Sequence, residues 1–182
     1  MLNIKKFSLT ALAVSLAVSA NALNITPATL PQWTGTDNSN LSAAQVAAIV
    51  GASSLTEVYK QNVGGPEQGS FASSYTTTFS NTPSDPSDAL IDYISGPSIA
   101  AGSIYLYVKD GNHNPAFYIF NISGWNGTED IVLTGFWPNG GAISHVAILT
   151  NGVQRVPDAG GTLALMGLAL CSLGLLRRKL SA

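Results

Sequence analysis

The chain has 182 residues, only 10% of them charged, and a formal net charge of −2, which fits one domain of ordinary size plus accessory segments. Between residues 23 and 155, three basic groups (Lys60, Lys109 and Arg155) face nine acidic ones. No basic stripe is left to hold a phosphate backbone, so nucleic acid is excluded as an expected partner.

The first 22 residues have the three parts of a secretory signal peptide. Lys5 and Lys6 supply the positive start, residues 7–18 form an apolar stretch, and Ala20-Asn21-Ala22 places small residues where a signal peptidase reads. Cleavage after Ala22 is expected. A short helix follows: Ser42-Ala43-Ala44-Gln45 fits a capping box, Val46, Ile49 and Val50 share a face, and Gly51 is the stop.

Beyond Gly51 the helical period disappears. Residues 55–61 form a plausible strand. Phe71, Tyr75 and Phe79 fall on one side of a Ser/Thr-rich segment, and Ala89, Ile91 and Tyr93 alternate with Asp92. Ile104, Leu106 and Val108 alternate with Tyr105, Tyr107 and Lys109. Asp110-Gly111 ends that strand and Pro115 restarts the chain toward residues 117–120. Asn126-Gly127 precedes residues 131–133, Asn139-Gly140-Gly141 precedes residues 143–149, and Asn151-Gly152 closes the domain. Six or seven short strands spaced by Gly and Asn turns predict an antiparallel sandwich or small barrel. No dinucleotide or P-loop glycine pattern occurs, and no cofactor is expected.

The tail is the most specific part of the sequence. Val156-Pro157-Asp158-Ala159-Gly160-Gly161 leads into an apolar run of about 15 residues, at the short end for a membrane-spanning helix. Arg177-Arg178-Lys179 follows, and the positive-inside rule keeps that cluster cytoplasmic. The only cysteine, Cys171, lies within the run, so residues 23–155 can form no internal disulfide. This order of short motif, apolar helix and basic cluster beside an N-terminal signal peptide resembles the PEP-CTERM class of sorting signals, closest to the variant that begins Val-Pro-Asp-Ser-Gly. Ala159 stands where that variant has serine, and a second glycine follows. The resemblance implies a protein of a Gram-negative bacterium that an exosortase, an integral-membrane cysteine protease, cuts near Val156-Pro157-Asp158. The alternative is a permanent single-pass anchor. Residues 108–120, with Trp125-Asn126-Gly127-Thr128 and Gly135-Phe136-Trp137-Pro138, also resemble exported domains found ahead of such tails. That group carries no assigned activity.

Candidate chemistry in the exported domain is weaker. Asp110, Asn112 and Asn114 have the 1, 3, 5 spacing of calcium-loop ligands, but Pro115 sits where the loop wants glycine and Asn121 where it wants a bidentate glutamate. Asx residues in a hairpin turn explain the same letters without metal. Asp85, Asp88 and Asp92 read as a solvated loop entering a strand. His113 is expected in an exposed turn and His145 in an apolar strand. Ser144 or Ser123 could be drawn into a Ser-His-Asp triad, but no nucleophile-elbow motif supports one. Trp125, Trp137 and Tyr118, with Trp33, Tyr105 and Tyr107, could stack on sugars, or be core residues of the sandwich. The Asn-X-Ser/Thr matches at Asn24, Asn40, Asn121 and Asn126 are compositional in so Asn- and Thr-rich a chain.

The expectation is a mainly β protein: an antiparallel β-sandwich (jelly-roll or Ig-like) over residues 23–155 with one short N-terminal helix. It lies between a signal helix at 1–22 and a sorting tail with a transmembrane helix at 156–182. Its expected partners are signal peptidase, exosortase, the membrane through the tail, and polysaccharide. The expected function is a non-catalytic, exported surface or matrix protein, with a carbohydrate-binding module as the alternative and a secreted hydrolase as the weaker one.

Overall fold

A computed structural model describes residues 22–29, 32–81, 85–110, 112–152 and 154–156, the last three by backbone alone. The expected signal helix, the motif from Pro157 onward and the C-terminal apolar run lie outside these residues. Among the described residues no helix is long and apolar enough to cross a membrane.

Twelve strands and one helix are present among the described residues. One sheet has four strands in the order β1 (Ala22–Ile25), β10 (Asp130–Leu133), β6 (Asp88–Tyr93) and β5 (Tyr75–Ser80). Only the β1–β10 pair in it is parallel. The second sheet is antiparallel throughout. Its six strands run β2 (Gln32–Gly35), β9 (Phe117–Asn121), β8 (Ile104–Asp110), β11 (Ile143–Thr150), β3 (Thr56–Asn62) and β4 (Glu67–Gln68). A two-stranded ribbon pairs β7 (Ser98–Ala100) with β12 (Gln154–Val156). The chain therefore continues as a strand beyond Asn151-Gly152, the turn expected to close the domain.

The apolar alternation expected around residues 104–109 is present, yet every residue of β8 is buried. Leu106 and Val108 join the core that the two sheets share, with Ile91, Ile131, Leu133, Val146 and Ile148. Tyr105 and Tyr107 face the other way, into a second core with Val46 and Ala47 of helix α1 (Ala43–Val50). A period of two sends successive side chains to opposite faces, and here a helix covers the face that alternation alone would leave to solvent.

The helix begins as the capping box requires. Ser42 Oγ accepts from the Gln45 amide, Gln45 Oε1 accepts from the Ser42 amide at 2.9 Å, and Gly51 closes the helix at φ 75°. Val46 and Ala47 are its buried residues, with Ile49 and Val50 partly covered.

One side chain ties the separate parts together. The Tyr75 ring packs between Tyr59, Phe71, Tyr93 and Trp125 at centroid distances of 5.5–6.4 Å. Its buried hydroxyl donates to the Gly127 carbonyl at 2.6 Å and accepts from the Ile99 amide at 2.8 Å. Gly127 itself has φ 81°, and a Cβ there would collide with the Ile99 carbonyl. The turn can therefore close onto β7 only without a side chain.

Replacing Tyr75 by Phe keeps the ring and orphans two buried backbone groups. We expect Tyr75→Phe to lower unfolding free energy by about 1–3 kcal/mol, read from urea midpoints at constant m-value.

Candidate functional site

The C-terminal end of β8, the following loop (112–116) and the β10–β11 connection (134–142) meet at one end of the two sheets. They bound a polar cleft of about 470 Å³ lined by Asp85, Asp110, Asn112, His113, Gly141 and Ser144, among others. Asp110, only 3% exposed, organises it. One carboxylate oxygen accepts from the Asn112 amide at 2.9 Å. The other accepts from the Ala142 amide at 3.1 Å and lies 3.3 Å from His113 Nδ1. The Asp110–His113 pair leans on Gly141, whose φ of 106° and lack of space for a Cβ both exclude other residues.

Asp110 is therefore committed to backbone amides and to His113, and its bond to the Asn112 amide is the Asx turn expected of it. Among the described residues no cluster of three or more His, Cys, Asp or Glu side chains could hold a metal. Of the second acidic group only Asp85 reaches the cleft. Asp88 accepts from the Gly135 amide at 2.7 Å and from Asn81 Nδ2 at 2.6 Å. Burial, with the nearby Asp130 charge, raises the pKa of Asp92.

Ser144 occupies an irregularity in the β8–β11 register, between Ile143 paired with Asp110 and His145 paired with Lys109. Its hydroxyl donates to the Lys109 carbonyl at 3.0 Å and lies 3.4 Å from His145 Nδ1. His145 turns away from the two-sheet core and packs edge-on against Tyr107. Burial, reinforced by the charges of Lys60 and Lys109, pulls its pKa down to about 3, so the ring is neutral near pH 7. The carboxylate and the serine thus engage different histidines, and no Ser-His-Asp chain forms through either. Ser123 is committed elsewhere, donating to Asn121 Oδ1 at 2.6 Å and accepting from the Ile104 amide at 3.1 Å.

Lys109 is 1% exposed, and its ammonium donates to the Asp110 carbonyl. Burial lowers its pKa, opposed by the charges of Asp110 and Asp37.

Of the two readings open for Trp125, Trp137 and Tyr118, an exposed sugar-stacking platform or core residues of the sandwich, the structure bears out the second. The three are 6%, 5% and 9% exposed and belong to the shared core. Trp137 and Tyr118 pack together at 5.2 Å, whereas Trp125 packs on Tyr75 at 5.8 Å. Each indole N–H is satisfied internally, Trp125 by the Glu129 carbonyl and Trp137 by that of Pro115, both at 2.7 Å. Only Trp137 and Tyr118 border a smaller cleft of about 280 Å³, which shares His113 with the larger one. The sequence reading placed His113 in its turn but missed the pairing with Asp110. The signal available was the Asp-x-x-His spacing opposite the Gly140-Gly141 pair.

His145 makes stability pH-dependent with a definite sign. The unfolded ring takes up a proton near pH 6.5 and the folded one only near pH 3. Its contribution is complete above pH 6.5 and is lost on acidification toward pH 3, at about 1.4 kcal/mol per pH unit. Urea midpoints of wild type and His145→Phe at pH 7, 6 and 5 should show the shallower pH slope in the variant. No protein-family model, curated protein or solved structure matches the chain.

Proposed function

We propose that the chain is an exported, exosortase-processed surface or matrix protein of a Gram-negative envelope, acting by binding rather than by catalysis. In this reading its domain is an antiparallel sandwich of jelly-roll or Ig-like kind. The observation that carries the reading is the order Val156-Pro157-Asp158-Ala159-Gly160, an apolar run, and Arg177-Arg178-Lys179. Strand β12 pairs with β7 through Val156, opposite Ser98, so the paired backbone reaches the motif directly. Pro157 has no N–H with which to extend that ladder. The separate commitments of His113 and His145 support a non-catalytic role.

Signal peptidase, exosortase and, before processing, the membrane are the partners this reading requires. The polar cleft favours a second reading, a carbohydrate-binding module. Asp85, Asn112 and Ser144 offer a small polyhydroxylated ligand donors and acceptors along one cleft.

Expression with and without an active exosortase, followed by fractionation and C-terminal mass measurement, tests the first reading. The exported form should lose the residues after the Val156-Pro157-Asp158 region only when the enzyme is active. A tail intact to Ala182 beside a working exosortase would leave a plain anchor. A glycan array tests the second: binding should appear and fall at least tenfold in Asn112→Ala, and a blank array removes it.

A further inference from the structure

Along one lateral edge the two sheets are joined by a buried polar cluster. Tyr59 and Gln61 belong to β3 of the six-stranded sheet, and Thr77 belongs to β5, an edge strand of the four-stranded one. They are 0%, 9% and 6% exposed. The Gln61 side-chain oxygen accepts from the Thr77 amide at 2.6 Å and from the Tyr59 hydroxyl at 3.0 Å. That hydroxyl lies 2.7 Å from Thr77 Oγ1. Because Tyr59 has one proton and spends it on Gln61, the Thr77 hydroxyl must donate to Tyr59. Gln61 Nε2 points the opposite way, toward the Gly65 carbonyl at 3.3 Å, at the less buried end of the cluster.

Hydrogen bonding alone could explain one part of this: Gln61 satisfies an edge-strand amide that no further strand covers. The remainder has the parts of an acyl transfer. Two donors converge on a carboxamide oxygen, as they would on the oxyanion of a tetrahedral intermediate. A hydroxyl nucleophile sits one hydrogen bond from the same relay group, and the leaving nitrogen faces the way out.

We propose that Thr77 and Gln61 form an ester bond that covalently links the two sheets. Thr77 Oγ1 attacks Gln61 Cδ as the Thr77 proton moves to the Tyr59 oxygen and the Tyr59 proton moves to Gln61 Oε1. The new C–O bond gives a neutral tetrahedral intermediate. On collapse, the Cδ–Nε2 bond breaks and the hydroxyl proton of the intermediate goes to the departing nitrogen, which leaves as ammonia. No oxidant, metal or external base enters the balance. Burial pushes the Tyr59 pKa up to about 12, with the Thr77 hydrogen bond opposing it, so the relay hydroxyl keeps its proton at neutral pH. Fixed neighbours replace a bimolecular encounter, and the dry surroundings protect the ester from hydrolysis. Ammonia that reaches solvent is protonated there, which pulls the step forward. A domain with no cysteine between residues 22 and 156 gains by this route the cross-link that a disulfide would supply.

The test is peptide mass spectrometry on the purified, folded full chain, denatured and then digested after Glu57, Glu67 and Glu129, which puts Gln61 and Thr77 on different peptides. The two should remain one covalent species, lighter than their sum by one ammonia, and hydroxylamine should separate them. Thr77→Val should give two unlinked peptides, Thr77→Ser should keep the link, and Tyr59→Phe should slow its appearance at least tenfold. Unlinked, unmodified peptides from folded wild type overturn the proposal, whether or not any variant folds. A link that survives Thr77→Val overturns it equally, and an unchanged rate in Tyr59→Phe overturns the relay.

Discussion

The Tyr75 hydroxyl is the point on which the two-sheet arrangement closes. It stands at the start of β5, in the four-stranded sheet, and satisfies backbone groups of two separate segments, the Asn126-Gly127 turn and strand β7. Both bonds are buried, so removing the hydroxyl would leave two desolvated backbone groups without their partner. The ring brings Tyr59, Phe71, Tyr93 and Trp125 into contact at the same place. Through β7 the constraint extends to β12, whose pairing runs to Val156 at the threshold of the tail motif.

The central strands of the six-stranded sheet, β8, β9 and β11, are largely buried on both faces, and that determines where chemistry can sit. One face is sealed by the other sheet and the opposite face by α1 and the residues around it. Trp125 and Trp137 are used up inside, which removes them from ligand duty. One group of polar side chains lines the cleft at the loop end, with Asp85, Asn112, His113 and Ser144. A second polar group, Tyr59–Gln61–Thr77, is enclosed where the sheets converge. The first has the openness of a binding cleft. The second has the dryness and fixed contacts that suit a single internal reaction.

Much of the fold is legible in the residues. The capping box at Ser42 and Gln45, the left-handed stop at Gly51 and the strands at 104–110, 117–121 and 143–150 follow from local rules of spacing and turn chemistry. Strands β1, β2, β4, β7 and β12 have two to four residues each. That is too few for a period of two to register; β2 and β4 add to the edges of the longer β9 and β3, whereas β7 and β12 pair with each other and β1 with the equally short β10. The site was less legible. Asp110, Asn112 and His113 read as a turn, which they are, but the partner that packs against them, Gly141, lies on a distant loop.

What the sequence determined by itself is the set of features that act locally or are read as an extended string. These are the helix with its caps, the mainly β character and, with a single cysteine in the chain, the lack of an internal disulfide. Tertiary structure alone decided which face of each strand is covered. It buried the tryptophans, gave Ser144 and Asp110 different histidines, and set Thr77 beside Gln61 sixteen residues away. The physical reason is that alternation specifies that a strand has two faces but not what lies over each. A hydrogen bond between distant residues depends on a meeting that no local pattern encodes.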